Sequence, residues 1–206
     1  MIFTRSTSPK QFSDYAKYRP YLRVDFCYRC AYCLRQEGHN GGEANFCIDH
    51  HQPVRGAFGK PDLECEYTNL YYTCCECNEN KADKWPTEAQ RQKGYRFLNP
   101  CQPEDDHSLH WVFHSNGTLE ALTNVGKYTE IMLLLSRPGL QYWRAKMYLL
   151  QQKAEEIENT LFPQLEPQDR DALQKELEGI REQLEPPVFD RQRGKERQRL
   201  EEAECP

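Results

Sequence analysis

No stretch of the 206 residues is apolar for long enough to cross a bilayer as a helix. The opening MIFTRSTSPKQF lacks the apolar centre of an export signal. A cytoplasmic location is therefore the expectation. There is no internal repeat, which sets solenoids and propellers aside. The chain also lacks a positive surplus: its net charge is −5, which argues against simple non-specific coating of nucleic acid. Cysteine, by contrast, is abundant, with ten residues. Without an export signal, and in a chain too long for a disulfide-built mini-protein, cysteines at CxxC spacing read as metal ligands before they read as disulfides. The length suits one or two domains, and 38% hydrophobic residues against 29% charged suffice for a folded core.

The average charge hides an asymmetry. Residues 1–36 hold Arg5, Lys10, Lys17, Arg19, Arg23, Arg29 and Arg35 against Asp14 and Asp25. Tyr15, Tyr18, Tyr21 and Tyr28 are interleaved with them. Basic and aromatic residues together suit phosphate contact and base stacking, which makes Arg19, Arg23, Arg29 and Arg35 candidate nucleic-acid contacts. A solvated arm with its tyrosines packed on the domain explains the same composition. The acidic surplus lies in 101–206.

Four regions follow from the patterning. Residues 1–25 read as a basic N-terminal arm. Residues 26–100 form the chemical core, with a short strand from Asn45 to Ile48 leading to Asp49-His50. A second strand runs over Leu70-Tyr71-Tyr72-Thr73, and a short helix from Cys75 towards Lys84 is limited by Pro86. Residues 101–185 begin with a hairpin, because Asn116-Gly117 between Trp111-Val112-Phe113 and Thr118-Leu119-Glu120 tolerates the positive φ of a tight turn. Helices follow. Tyr128, Ile131, Met132 and Leu135 share one face, Ser136-Arg137-Pro138-Gly139 breaks the run, and Tyr142, Met147, Leu150 and Ile157 are the expected buried positions of the next helix. A third helix is expected over 167–185. The charged stretch 186–206 is expected to be disordered.

Two CxxC pairs, Cys30-Ala31-Tyr32-Cys33 and Cys74-Cys75-Glu76-Cys77, each turn two sulfurs toward one point, and together they complete a tetrahedral thiolate site for structural zinc. Cys27-Tyr28-Arg29-Cys30 is also a CxxC, so the first pair has two possible registers. Cys47, Cys65, Cys75, Cys101 and Cys205 read as packed free thiols.

The densest motif is Cys47-Ile48-Asp49-His50-His51-Gln52-Pro53, followed by Thr68-Asn69-Leu70 and then Cys77-Asn78-Glu79-Asn80-Lys81. Over about residues 28–86 these segments resemble the HNH, or ββα-metal, endonuclease family. Its pattern of Asp-His, two residues and Pro, then Asn-Leu, then Cys-x-x-Cys-Asn-x-x-Lys is matched by Asp49, His50, Pro53, Asn69, Leu70, Cys74, Cys77, Asn78 and Lys81. The family's frequent Cys-x-Tyr-Cys matches Cys30, Tyr32 and Cys33, and this favours Cys33 over Cys27 as a zinc ligand. The resemblance implies an α+β fold, a ββα core braced by zinc.

It also implies roles. Hydrolysis of a phosphodiester needs an activated water and a charge sink. His50 is the expected general base, and Asp49 and Asn78 are the expected oxygen ligands of a catalytic magnesium ion. Asn69 ties the connecting loop, and Lys81 faces the phosphate. His51 departs from the usual apolar residue. In a His-His register it would be the base and His50 a ligand, although the position of Pro53 favours His50. The expected substrate is DNA, with RNA second. A non-catalytic zinc module and an RNA-cutting toxin are the rivals. More loosely, Arg96-Phe97-Leu98-Asn99-Pro100, Asp105-Asp106-His107, Phe113 and Asn116-Gly117, with the helix of Leu140 and Arg144, are similar to nucleases of retron and Septu phage-defence systems. That similarity implies an ATPase partner docked on the helical C-terminal region.

Overall fold

A computed structural model describes residues 1–184 apart from positions 6, 8, 167 and 168. The expected charged tail, and Cys205 within it, lie outside the described residues. The described chain is mixed helix and sheet, as expected. None of its helices is long and apolar enough to cross a membrane.

Much of the N-terminal segment read as a basic arm packs on the core in the described residues. Asp14 caps a 3-10 turn over Tyr15–Tyr18 by accepting from the Ala16 amide, and helix α1 (Arg19–Asp25) follows with Pro20 in its first turn. Phe3, Tyr18 and Leu22 are buried in the main core against Phe26. The Phe3 amide donates to the Pro100 carbonyl at 2.8 Å, which stitches the N-terminus to a distant loop. The aromatic residues supply buried area, so the segment packs in spite of its charge.

Strand β1 (Phe46–His50) pairs antiparallel with β2 (Leu70–Cys74), from Phe46 opposite Cys74 to His50 opposite Leu70. Every residue of β2 is buried, and both α1 and helix α2 (Cys75–Lys81) pack against the ribbon. Cys74 ends β2 and is the residue before α2, so strand and helix share a corner. A short helix α3 (Glu88–Gln92) begins with a capping box between Thr87 and Gln90.

Helix α4 (His107–His110) leads into the hairpin β3 (Trp111–Phe113) and β4 (Leu119–Ala121). Gly117 in its turn has φ +82° and lies so close to the Gln141 carbonyl that an added Cβ would meet it. Both the conformation and the approach demand glycine. Thr123 caps helix α5 (Asn124–Leu133) through the Gly126 amide. Helix α6 (Pro138–Glu156) starts at the expected break and continues through a π turn over Ile157–Leu161. Helix α7 (Asp171–Leu184) folds back on α6 around a small cluster of Ala154, Ile157, Leu177 and Ile180.

Two expected burial patterns need correction. In α5, Tyr128 is buried but Ile131 is 54% exposed, and Leu133 and Leu135 enter the core. In α6, Tyr142 is 75% exposed, while Leu140 and Arg144, four residues apart, face inward. Arg144 is buried because its guanidinium donates to the Leu135 carbonyl at 2.8 Å.

Candidate metal centre and active-site cleft

The four thiols are brought together by two kinds of turn. Cys74 and Cys77 flank the first turn of α2. Cys30 and Cys33 lie on a tight loop pinned to β2 by the Ala31 amide, which donates to the Tyr72 carbonyl at 2.9 Å. Leu34, at φ +64°, turns the chain back so that its amide reaches the Cys30 carbonyl. All four sulfurs are buried and lie within 4.8 Å of one another. Cys33 Sγ and Cys74 Sγ are 3.7 Å apart. A tetrahedron with Zn–S bonds of about 2.3 Å has an edge of roughly 3.8 Å, so the donor set and its spacing fit zinc. Burial pushes the Cys30 thiol well up, whereas hydrogen bonds from the other three thiols hold Cys33 well down. Cys27 is not among the clustered thiols, so the register is Cys30 and Cys33.

Cys47 and Cys75 are joined in a disulfide, against the expectation of free thiols. Cys47 lies opposite Thr73 on the ribbon, and the chain turning into α2 brings Cys75 back over it. Nothing in the spacing of these two cysteines signals the bond. It becomes legible only once the strand register is known.

Beside this corner is a cleft of about 240 Å³ that Asp49, His50 and Asn78 line together. His50 ends β1. Its Nε2 is 2.9 Å from the Glu64 carbonyl, which can only accept, so in the neutral ring Nε2 carries the proton and Nδ1 the lone pair. Tyr15 meets the ring edge-on at 4.9 Å. Asn78, one turn into α2, is half-buried. Asn69 is a clamp: its Oδ1 accepts from the Gln52 amide at 2.8 Å, and its Nδ2 donates to the Gln52 carbonyl at 3.0 Å. Its own carbonyl accepts from the His51 amide. The loop leaving His50 is thereby fixed.

Asp49 is 3% exposed and held from two sides. The Tyr32 hydroxyl donates to Oδ2 at 2.7 Å, and Lys81 Nζ donates to Oδ1 at 3.0 Å and to the His50 carbonyl at 2.6 Å. Lys81 has no exposed side-chain surface, so the expectation that it faces a phosphate is corrected: its charge is directed at Asp49. Each carboxylate oxygen has two lone pairs, so these bonds leave acceptor capacity on Asp49. Tyr32, in the CxxC loop, joins the thiol cluster to the cleft.

His51 has a different environment. Its ring stacks on Tyr71 at 4.8 Å and meets Trp85 edge-on at 5.4 Å. Although some of its surface remains exposed, this enclosure and the nearby Lys81 charge pull its pKa down to about 3. A base that weak is poorly suited to neutral pH.

The four candidate arginines each have a partner within the chain. Arg19 donates to the Phe46 carbonyl at 3.0 Å, Arg23 pairs in a fork with Glu37, Arg29 reaches the Leu34 carbonyl, and Arg35 bonds Asn40. None of them lines the cleft, whereas the exposed Arg55 does. Sequence reasoning missed Arg55. Its only signal was its place in the glycine-containing loop just after Pro53. The arrangement is thus an imidazole, a carboxylate and an amide side chain lining one cleft, with an arginine at its wall. No family model matches the chain, and no curated protein matches it.

Proposed function

We propose that the chain is a metal-dependent endonuclease of the HNH type that hydrolyses DNA phosphodiester bonds. One observation carries this reading: Asp49, His50 and Asn78, from the end of one strand and the first turns of a helix, line one cleft. His50 takes a proton at Nδ1 from the attacking water, while its Nε2–H on the Glu64 carbonyl fixes the ring. Asp49 and Asn78 supply oxygen ligands of the kind magnesium prefers, and few protein ligands leave positions for water and substrate. A bound cation would supply charge neutralisation at the phosphate and help to the leaving oxygen. Lys81 and Tyr32 hold the Asp49 carboxylate in place. The thiol cluster, with four protein sulfurs, is closed and structural.

The test is plasmid cleavage with magnesium, with EDTA, and with His50→Ala. The expected result is cleavage that needs the cation and falls by about 10²–10⁴-fold without the imidazole. Equal behaviour of wild type and variant would favour a non-catalytic zinc module. Preferential cleavage of RNA in a parallel reaction would replace the substrate class. The defence role and the ATPase partner rest on the looser resemblance of residues 95–150, and a pull-down with the tagged chain tests them.

A further inference from the structure

Arg137 does not line the cleft of Asp49, His50 and Asn78. It precedes α6, in the Ser-Arg-Pro-Gly break between α5 and α6. Its side chain is only 10% exposed. One terminal nitrogen lies 3.6 Å from Cys77 Sγ and 4.0 Å from Cys74 Sγ, both within reach of an N–H···S bond. The other donates to the Leu133 and Leu134 carbonyls at 3.2 Å, and Nε lies 2.6 Å from a Glu76 carboxylate oxygen. The fork is therefore held by one helix end and one acid while its free edge is aimed at two sulfurs.

A zinc ion held by four thiolates carries a net charge of −2. Such a charge in a buried corner is costly unless a cation lies against it. We propose that Arg137 is a positioning residue of the metal centre. It donates to the Cys74 and Cys77 thiolates, offsets their charge, and thereby makes retention of the metal depend on the docked α5–α6 corner. The inference rests on the reading of the cluster as a zinc site. It goes beyond that reading by giving the helical half of the chain a part in holding the ion. A further contact agrees with this. Asn80 on α2 donates to the Leu133 carbonyl at 3.2 Å, the same carbonyl that accepts from Arg137, so α2 and the corner share one anchor.

The experiment uses the full chain. Metal content of the purified wild type comes first, and a chain that binds no zinc would overturn the zinc reading itself. With zinc bound, transfer to a chromogenic chelator is timed for wild type, Arg137→Gln and Arg137→Lys, with far-UV circular dichroism to establish folding. The expected result is release about tenfold faster in Arg137→Gln, the scale of losing an outer bond to a metal ligand, with Arg137→Lys between the two. The readout that a purely structural role would not move is the sulfur-to-cobalt charge-transfer band of the cobalt-substituted protein. It shifts to lower energy when the N–H···S bonds are lost. An unmoved band, even with faster release, would reduce Arg137 to a cap on the Leu133 and Leu134 carbonyls and overturn the proposal. If Arg137→Gln does not fold, Arg137→Lys decides alone, since an ammonium cannot reproduce the fork and the band shifts part-way or the proposal fails.

Discussion

The corner formed by β1, β2 and α2 and the helical pair α6–α7 bury side chains in opposite styles. At the corner, polar groups are chained together: Tyr32 to Asp49, Asp49 to Lys81, Lys81 to the His50 carbonyl, and Asn69 to the backbone amide and carbonyl of Gln52. Between α6 and α7 the buried contacts are apolar, from Ala154, Ile157, Leu177 and Ile180, and the ion pairs Lys153–Glu176 and Arg181–Glu158 lie at the surface. Exposed pairs of that kind contribute about 0–1 kcal/mol. An apolar pair of helices tolerates many sequences. A buried carboxylate with two dedicated donors tolerates few. Such an arrangement is costly as a way to gain stability, so its presence marks the corner as the place where geometry matters more than burial.

On the zinc reading proposed above, the comparison breaks most completely if the metal is removed. Stripping zinc with a chelator, or replacing Cys77 by Ser, is expected to abolish the near-UV signal of the packed tyrosines around the corner. The apparent contribution of a structural zinc site is on the order of 10 kcal/mol, more than most domains have to lose. A chelated protein that unfolds at the wild-type denaturant midpoint would show that the cluster does not brace the core. Next in size is Lys81→Met. It leaves Asp49 buried without its cation and is expected to cost about 3–5 kcal/mol in urea denaturation. Adding Asp49→Asn should restore part of that loss. If the double variant is no more stable than Lys81→Met, the Lys81–Asp49 pair is not the coupled unit described above.

The same contrast explains what was legible in the sequence. The strands, the start of α2 and the Asn-Gly hairpin could be read because each carries a local signal: β-branched and aromatic runs, or a turn dipeptide. The gathering of Cys30, Cys33, Cys74 and Cys77 could be read because CxxC spacing fixes sulfur geometry within each turn. Side-chain direction was not legible. Lys81 follows Asn78 by three residues and shares its helix face, yet it reaches inward past Phe97 to Asp49 because a long stem can bury itself while its head finds an acid. The basic residues of the first 36 positions looked free because composition does not show that Glu37, Glu43 and backbone carbonyls are waiting for them. Tyr142 looked buried by apolar count. The inward stripe of α6 instead runs through Leu140 and Arg144, and position 142 lies across the helix from both.

A pH prediction sharpens the polar side of the comparison. His107 is buried, with Nδ1 2.7 Å from the Met1 carbonyl and Nε2 3.1 Å from the Ala31 carbonyl, and burial lowers its pKa to about 4. A neutral ring donates to one of these carbonyls at a time. Unfolded, the same group titrates near 6.5, so between about pH 6.5 and 4 the unfolded chain binds more protons than the folded one. Stability should be insensitive to this group above pH 6.5 and should fall by about 1.4 kcal/mol per pH unit as the pH drops through that window. His107→Gln should remove that slope. Parallel pH profiles for the two proteins would mean that His107 does not carry the dependence.

The smallest expected effect belongs to the apolar side. Leu177→Ala removes one of the four fully enclosed chains of the α6–α7 cluster. The cost should be about 2 kcal/mol, the low end for a buried leucine, because so small a cluster can close over the gap. It should also stay local. Hydrogen exchange should quicken in α7 and the end of α6 while β2 and α2 exchange as in wild type, since the helical pair opens as its own unit. On the proposed endonuclease reading, plasmid cleavage should be unchanged. If Leu177→Ala instead quickens exchange in β2, the two regions share one cooperative unit. Apolar packing at the far end would then be part of what keeps Asp49 and His50 in register.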